Sequence, residues 1–153
     1  MVQEEYYPLH QQLFWGGIKL IKDLIESGID DESRPFWNGL KEEQLMIQQC
    51  DDCNNYIFYP RSICPQCFSD SISWLEAKGT GKIYSYTIVH QAYGPFKNET
   101  PYIVGIVELD EGVRMMTRII GDRNNIAIDC RASVIFQKSE NNFPLPYFEI
   151  IPS

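Results

Sequence analysis

Residues 50–67 of the chain read CDDCNNYIFYPRSICPQC. The stretch contains two Cys-x-x-Cys pairs with ten residues between them, and their members are Cys50, Cys53, Cys64 and Cys67. The two sulfurs of each pair sit on one tight turn and can converge on one ion. Zn²⁺ favours four thiolates at about 2.3 Å in a closed tetrahedral site, and closed sites are structural. The spacing therefore predicts a zinc ribbon in which these four cysteines bind one structural zinc ion.

Two other interpretations of the cysteines stay open, namely two disulfides and a rubredoxin-like iron site. Disulfides belong mainly to exported proteins. The acidic, polar residues 1–7 lack the basic-then-apolar profile of a signal peptide. Iron also accepts four cysteines. With reduced cysteines and no export signal, we expect a cytoplasmic, zinc-binding protein.

The composition excludes several function classes. The chain has 153 residues, of which 44% are hydrophobic, and its formal net charge is −8. One ordinary domain, or a small core domain with an appendage, suits this length. Nucleic-acid binding and docking on anionic membranes both require an excess of Lys and Arg, so the charge argues against both. No apolar run approaches the length of a membrane span.

The chain divides into three predicted regions, an N-terminal helical segment (1–48), the zinc ribbon (49–77) and a β-rich region (78–153). In the first region, apolar residues at helical spacing predict an amphipathic helix, and a second, short helix is expected over 36–41. The spaced residues are Phe14, Ile18, Ile21 and Ile25. Their apolar face would pack either on this chain's own barrel or on another chain.

The third region contains five predicted strands and no long helix. The strands are expected at 83–90, 102–110, 113–121, 132–137 and 147–151, with a hairpin turn at Glu111-Gly112. Five strands in so short a segment suit a closed barrel of the OB type, which leaves no sheet edge exposed. The predicted fold is therefore mainly β, with N-terminal helices, a rubredoxin-like zinc ribbon and a five-stranded OB-fold barrel.

Several motifs occur in the same order as in a known family. They are Arg34-Pro35-Phe36-Trp37, Gly39-Leu40, Gln49-Cys50 to Cys53, Tyr59-Pro60-Arg61, Cys64-Pro65-Gln66-Cys67, Gly79-Thr80-Gly81-Lys82-Ile83-Tyr84-Ser85-Tyr86-Thr87 and Val107-Glu108-Leu109-Asp110-Glu111-Gly112. From 34 to 151 the chain resembles the rubredoxin-like zinc-ribbon/OB-fold family that accompanies thiolase-type acyl-CoA enzymes. It departs at Asn54, where members usually carry Gly, and at Asp129-Cys130, where they usually carry a Gly-Met-like pair.

The resemblance implies a supporting subunit that is not catalytic on its own. Members look like partners of thiolases, of hydroxymethylglutaryl-CoA synthase assemblies, and of steroid side-chain aldolases and hydratases. The expected partner is a thiolase-like catalytic subunit, two copies of which would join two copies of this chain in a heterotetramer. The chain would help to hold or pass a CoA thioester for this acyltransferase, which in one subgroup acts on arylsuccinyl-type CoA esters.

The remaining reactive side chains agree with a non-catalytic role. Thioester cleavage needs an activated nucleophile, a base and an oxyanion hole. Cys130 is the only cysteine outside the ribbon, and we interpret it as a small buried side chain. His90, one of two histidines, is interpreted as structural or surface-exposed, with a general acid/base role as the alternative.

Five residues are candidate contacts for substrate or partner. Tyr93 and Phe96 could form an apolar lip over an acyl group, although stiffening of their loop is the simpler interpretation. Arg61 and Lys82 could meet CoA phosphates, although each could equally be an ordinary solvated charge. The fifth candidate is His90.

Two other functions stay open at this point. The chain could be a free-standing OB module that binds nucleic acid, for which Tyr84 and Tyr86 would offer stacking surfaces. It could also supply half of an acyl-CoA hydratase or aldolase site, with His90 acting in trans.

Overall fold

The computed structural model describes residues 29–93, 96–138 and 143–151. These residues form one helix, α1, and eight strands, β1 to β8. In chain order the elements are α1 Arg34–Lys41, β1 Met46–Cys50, β2 Tyr56–Ile57, β3 Ile72–Glu76, β4 Thr80–Val89, β5 Tyr102–Leu109, β6 Arg114–Ile120, β7 Arg131–Lys138 and β8 Pro144–Ile150. The amphipathic helix predicted near the N-terminus lies outside the described residues. Within them, no helix is long and apolar enough to cross a membrane.

The strands form two sheets that match the predicted fold class. Strands β2, β1 and β3 make an antiparallel three-stranded sheet in that order. The other five close into a barrel in the order β4-β5-β6-β8-β7, because β7 pairs back onto β4. The β6–β8 pair is parallel, whereas every other pair in the barrel is antiparallel. The prediction of a ribbon followed by a five-stranded barrel is confirmed.

The last strand begins three residues earlier than the sequence pattern indicated, at Pro144 instead of Tyr147. Proline cannot donate to a strand ladder, so Pro144 and Pro146 argued against a strand. In the barrel, β8 pairs with β7 along its whole length but meets β6 only at Phe148 and Glu149. The prolines therefore lie where one side of β8 has no ladder to complete, and the Pro146 carbonyl accepts the Thr117 hydroxyl at 2.8 Å.

Two glycines in the Gly-Thr-Gly motif allow β4 to enter the barrel. Gly79 has a φ of +71°, a backbone conformation that other residues seldom adopt. A side chain at Gly81 would put its Cβ 2.4 Å from the carbonyl oxygen of Glu108, so only glycine fits there. The motif thus fixes the place where β4 begins to pair with β5.

Ribbon and barrel share one hydrophobic core. Phe148, Ile83 and Val107 fill the barrel and are completely buried. Leu45, just before β1, and Ile47, the second residue of β1, belong to the same cluster. Tyr56, Phe58 and Leu75 of the ribbon also pack against this core. The ribbon's own cluster is small and consists of Cys50, Ile57, Cys64 and the half-buried Ile72. The ribbon sheet is therefore anchored on the barrel at one end and has little core of its own at the other.

One buried side chain replaces missing strand pairing in the ribbon. Strand β2 is only two residues long, so the chain beyond Ile57 leaves the sheet. The Gln48 amide donates to the Arg61 carbonyl at 3.1 Å, and its carbonyl accepts the Arg61 amide at 2.8 Å. Gln48 is almost fully buried and pairs both backbone groups of Arg61 as a neighbouring strand would.

An ion pair ties together three strand ends where the barrel closes. Asp110 follows β5, and both of its carboxylate oxygens accept hydrogen bonds from Arg131, at 2.7 and 2.9 Å. The Thr80 hydroxyl donates to the same carboxylate at 2.5 Å. The Arg131 guanidinium, assisted by Thr80, holds the pKa of Asp110 well below its ordinary range.

We expect Asp110→Asn to weaken the barrel and to change its acid sensitivity. Because the pKa of Asp110 is lower in the folded state, its stabilising contribution is complete above its unfolded pKa, about 3.9, and is lost as the pH falls below that value. The pair is partly exposed, so the loss at neutral pH should be about 1 kcal/mol. Urea unfolding between pH 7 and pH 2 should show this difference shrinking as the pH falls. Asp70→Asn, at an exposed carboxylate in the ribbon, is the matched control and should unfold like the wild type at every pH.

Candidate functional site

The four ribbon cysteines bring their sulfur atoms to one place. All four sulfurs lie within 4.8 Å of one another. Cys50 and Cys67 are 3.5 Å apart, and Cys53 and Cys64 are 3.6 Å apart, measured between their Sγ atoms. Tetrahedral ligands at the zinc–sulfur distance are separated by about 3.8 Å. A disulfide needs about 2.05 Å between the sulfurs, and all these cysteines are free, so the disulfide interpretation is wrong.

The two Cys-x-x-Cys turns, or knuckles, repeat the same backbone geometry. The Asn54 amide donates to the Cys50 carbonyl at 2.9 Å, and the Phe68 amide donates to the Cys64 carbonyl at 3.0 Å. Asn54 and Phe68 also share the left-handed backbone conformation, with φ of 59° and 64°. Asparagine is one of the few residues other than glycine that tolerate this conformation. The same conformation at Phe68 is unexpected, because bulky side chains rarely adopt it.

The thiols of the ribbon are arranged to be stabilised by a cation. Burial opposes ionisation of Cys64, but amide groups of Cys67 and Gln66 directed at its sulfur lower its pKa to about 7. Cys67 accepts a hydrogen bond from the Ser69 amide, yet the crowding of the neighbouring thiols raises its pKa to about 12. Four sulfurs this close cannot all ionise without a positive charge between them. A divalent ion removes that conflict and makes all four thiolates available.

The donor set fits one structural zinc ion. Cys50 and Cys64, the first members of the two pairs, are buried, whereas Cys53 and Cys67 are exposed. Four protein ligands leave no open coordination position, which is the mark of a structural and not a catalytic zinc site. Bound zinc would supply folding energy to a segment that has almost no apolar core.

The three candidate residues between β4 and β5 lie on an exposed segment. His90 follows β4 and is exposed, and Tyr93 is 88% exposed. Phe96 packs against Tyr102, with 6.3 Å between the ring centroids. The structure thus places Phe96 against Tyr102, a residue of β5, and leaves Tyr93 in solvent. Contact of these side chains with an acyl group stays a prediction.

The two basic candidates lie on different sheets. Arg61 is exposed and belongs to the ribbon, where its backbone bonds to Gln48. Lys82 lies on β4, with its amino group 3.4 Å from Glu108 and 3.7 Å from Asp129. Within the described residues, no hydrogen bond, ion pair or ring contact joins any two of the five candidates. Lys82 is thus already paired with two carboxylates of its own chain.

The sequence pattern missed an ionic cluster on the outer face of the barrel. Arg114 donates to Glu108 at 2.8 Å and lies 3.5 Å from the centre of the Tyr84 ring. Arg114, with Lys82 beside it, lowers the pKa of Glu108. The strand register places both bases directly opposite Glu108, and only the paired strands reveal this.

The two tyrosines considered for nucleic-acid stacking have separate partners. Tyr84 stacks under Arg114, whereas the Tyr86 hydroxyl donates to the Ile126 carbonyl at 3.3 Å. The strand register shifts between Ile83 and Ser85, so Tyr84 lies in a bulge of β4. Both tyrosines are thus engaged by other groups of the chain, and base stacking on them stays a prediction.

Cys130 is half-buried, beside a cleft of about 480 Å³ that is also lined by Asp122, Asn125 and Glu149. Its sulfur lies 4.0 Å from the Asn125 carbonyl. The preceding Asp129 has a φ of 66°, which accounts for the family's preference for glycine there. Cys130 is thus less buried than the sequence interpretation supposed.

Comparison with known proteins identifies the family. Residues 37–73 match the model of the ChsH2 rubredoxin-like zinc ribbon domain, and residues 74–137 match that of the ChsH2 C-terminal OB-fold domain. A DUF35 domain-containing scaffold protein of Methanothermobacter thermautotrophicus is 36% identical over 105 residues, which are 67% of this chain and 79% of the relative. The chain belongs to the DUF35 family.

Other relatives carry names of acyl-CoA enzymes. A probable enoyl-CoA hydratase alpha subunit of Thermomonospora curvata is 40% identical over 56% of this chain, but the match spans only 27% of that protein. The benzoylsuccinyl-CoA thiolase subunit BbsA of Thauera aromatica is 25% identical over 70% of this chain and 67% of its own length. Among solved structures, the Ltp2-ChsH2(DUF35) aldolase matches with a TM-score of 0.73 and 32% identity, over 80% of this chain and 96% of that chain.

We expect the purified chain to contain one zinc ion, and Cys64→Ser to lose it. Cys64 is a buried ligand, so a serine there weakens the site and leaves the ribbon without the metal on which its folding depends. Elemental analysis should give one zinc per wild-type chain and far less in the variant. Cys130→Ser, outside the ribbon, is the matched control and should keep full zinc. Iron in place of zinc in the wild type would contradict the prediction.

Proposed function

We propose that this chain is a non-catalytic scaffold subunit of an acyl-CoA complex, in which a thiolase-type subunit performs the chemistry. The observation that carries the proposal is that the relatives are named as scaffold proteins or as parts of acyl-CoA enzymes. They include a DUF35 scaffold protein, a thiolase subunit, a hydratase subunit and an aldolase. The three regions 1–48, 49–77 and 78–153 are proposed as its helical, metal-binding and barrel units.

The extent of the likeness favours a thiolase-type partner over a hydratase, and it does not separate a thiolase from an aldolase, because the match covers 96% of the aldolase chain. The match spans two thirds of the thiolase subunit BbsA, whereas it spans about a quarter of the hydratase alpha subunit. Most of the hydratase subunit therefore has no counterpart in the match. We propose a complex of two copies of each subunit, which acts in the cytoplasm on a CoA ester, and an arylsuccinyl-type ester is the specific candidate.

The side chains of the described residues support a role in positioning. Outside the ribbon, the described residues contain one cysteine, Cys130, and one histidine, His90, and no hydrogen bond or ion pair joins them. We propose that His90, Tyr93 and Phe96 face the partner's acyl group from the segment between β4 and β5. Arg61 is proposed as a phosphate contact, and Lys82 would need to leave Glu108 and Asp129 to act as one.

The decisive experiment is reconstitution with a thiolase-type catalytic subunit from the same organism. We expect the two proteins to co-purify, and thiolysis of a CoA ester to require both of them. The catalytic subunit alone, and this chain alone, are the controls. Full activity of the catalytic subunit in the absence of this chain would overturn the scaffold role.

We expect His90→Ala to leave turnover of the complex within about two-fold of the wild type, because His90 is proposed to face the acyl group without transferring a proton. Loss of a general acid or base costs about 10²- to 10⁴-fold. A loss of that size, with normal assembly, would favour the shared hydratase or aldolase site instead. Gln91→Ala, at the next exposed position, is the matched control.

A further inference from the structure

We infer that the tip of the zinc ribbon is a docking knob, in which Phe68 and Ile63 insert into an apolar pocket of the catalytic partner subunit. The pocket would be rimmed by Lys and Arg. We use "ribbon tip" for these two residues together with the three aspartates around them, Asp51, Asp52 and Asp70. The inference rests on the proposed scaffold function and names the surface and the chemistry of its contact.

The knob is apolar and exposed. Phe68 is 80% exposed and Ile63 is 55% exposed. They flank the second knuckle, since Ile63 precedes Cys64 and Phe68 follows Cys67, and the Cys64 amide donates to the Ser69 carbonyl at 2.8 Å. Side chains of this kind at a rigid, metal-held turn are typical of interface anchors, where a few large apolar residues supply most of the binding energy.

The backbone conformation of Phe68 is a second, independent reason to assign a contact to this residue. Phe68 has the left-handed φ of 64°, whereas the equivalent position in the first knuckle holds Asn54, which tolerates this conformation. In the free chain, Phe68 thus combines an unfavourable backbone conformation with an exposed aromatic ring. Glycine would remove both costs. Strain that the surrounding fold maintains at one residue points to a functional contact there.

The charges around the knob define the partner's chemistry. Asp51 accepts hydrogen bonds from Ser71 at 3.0 Å and from Ser73 at 2.8 Å, while Asp52 accepts one from Ser69 at 2.5 Å. Ribbon residues 49–77 contain four acidic side chains and one basic side chain. Zinc bound by four thiolates would add further negative charge. A complementary pocket must therefore carry basic side chains at its rim.

The same charges disfavour other occupants of the surface. A second copy of the chain would bring the same aspartates against this rim. Residues 1–28, which have an apolar helical pattern, contain four acidic and only two basic side chains. Like charges placed across an interface oppose association. A basic-rimmed pocket on another protein is the occupant that satisfies both the apolar knob and its rim.

Calorimetry of full-length, zinc-loaded chains with the thiolase-type catalytic subunit used in the reconstitution tests the inference. We expect Phe68→Gly to weaken binding at least about ten-fold. Its zinc content should be unchanged, and its melting temperature should be equal or higher, because glycine relieves the backbone. Ile63→Ala should weaken binding by several-fold. Ile128→Ala is the matched control, since Ile128 is 53% exposed on the segment between β6 and β7, and should bind as tightly as the wild type.

The proposed basic rim of the partner's pocket is tested by measuring the association rate at several ionic strengths. Asp70→Asn should reduce the salt dependence of the association rate while leaving zinc binding intact, because opposite charges steer the encounter of two proteins. A wild-type association rate that does not fall with added salt would contradict the basic-rimmed pocket.

The outcomes separate this inference from the proposed function. If the wild-type chain binds the catalytic subunit and Phe68→Gly binds equally well, the scaffold role stands and the knob is overturned. If the wild-type chain does not bind that subunit, both fail. A wild-type dimer that Phe68→Gly converts to a monomer would assign the knob to self-association. A lower melting temperature with unchanged binding would assign it to a contact within the chain, and either result overturns the inference.

Discussion

The convergence of four sulfur atoms on one point is the constraint on which the ribbon depends. Its own core is limited to Cys50, Ile57, Cys64 and part of Ile72, which is too little apolar surface to hold a three-stranded sheet. Strand β1 connects the metal site to the rest of the molecule. It ends at a metal ligand, Cys50, and near its start Ile47 is buried in the core that the ribbon shares with the barrel. Strand β1 thus links the metal site directly to the barrel core, and Leu75 of the neighbouring β3 packs against the same core.

The ribbon and the barrel differ in how their charged side chains are paired. Four basic side chains of the barrel form ion pairs with carboxylates of the same chain: Arg131 with Asp110, Arg114 and Lys82 with Glu108, and Arg118 with Glu99. In the ribbon the carboxylates outnumber the bases, and Asp51 and Asp52 bond to serine hydroxyls. This division is consistent with a barrel that keeps its own shape and a ribbon tip that is electrostatically incomplete until a partner meets it.

Most of the architecture could be predicted from the sequence, because it depends on local patterns. Cysteine spacing predicted the metal site, and alternating apolar residues with Gly and Asp-Glu-Gly turns predicted the five barrel strands. The early start of β8 could not be predicted, since Pro144 and Pro146 are acceptable only where one neighbour strand is missing. The Glu108 cluster also depends on the register of three strands. The left-handed backbone at Phe68 was not predicted because a bulky side chain disfavours that conformation, although Phe68 follows the second knuckle as Asn54 follows the first.

The pairing of Gln48 with Arg61 has a consequence for chemical ageing of the protein. The Gln48 amide nitrogen donates to a backbone carbonyl while its oxygen accepts a backbone amide, in a setting closed to solvent. Deamidation exchanges that nitrogen for an oxygen and leaves the rest of the side chain in place. The attractive contact with the Arg61 carbonyl would then become a repulsion between two oxygens, and a buried negative charge would form beside the ribbon sheet. Conversion of Gln48 to glutamate would therefore weaken the attachment of the segment that leads into the second knuckle.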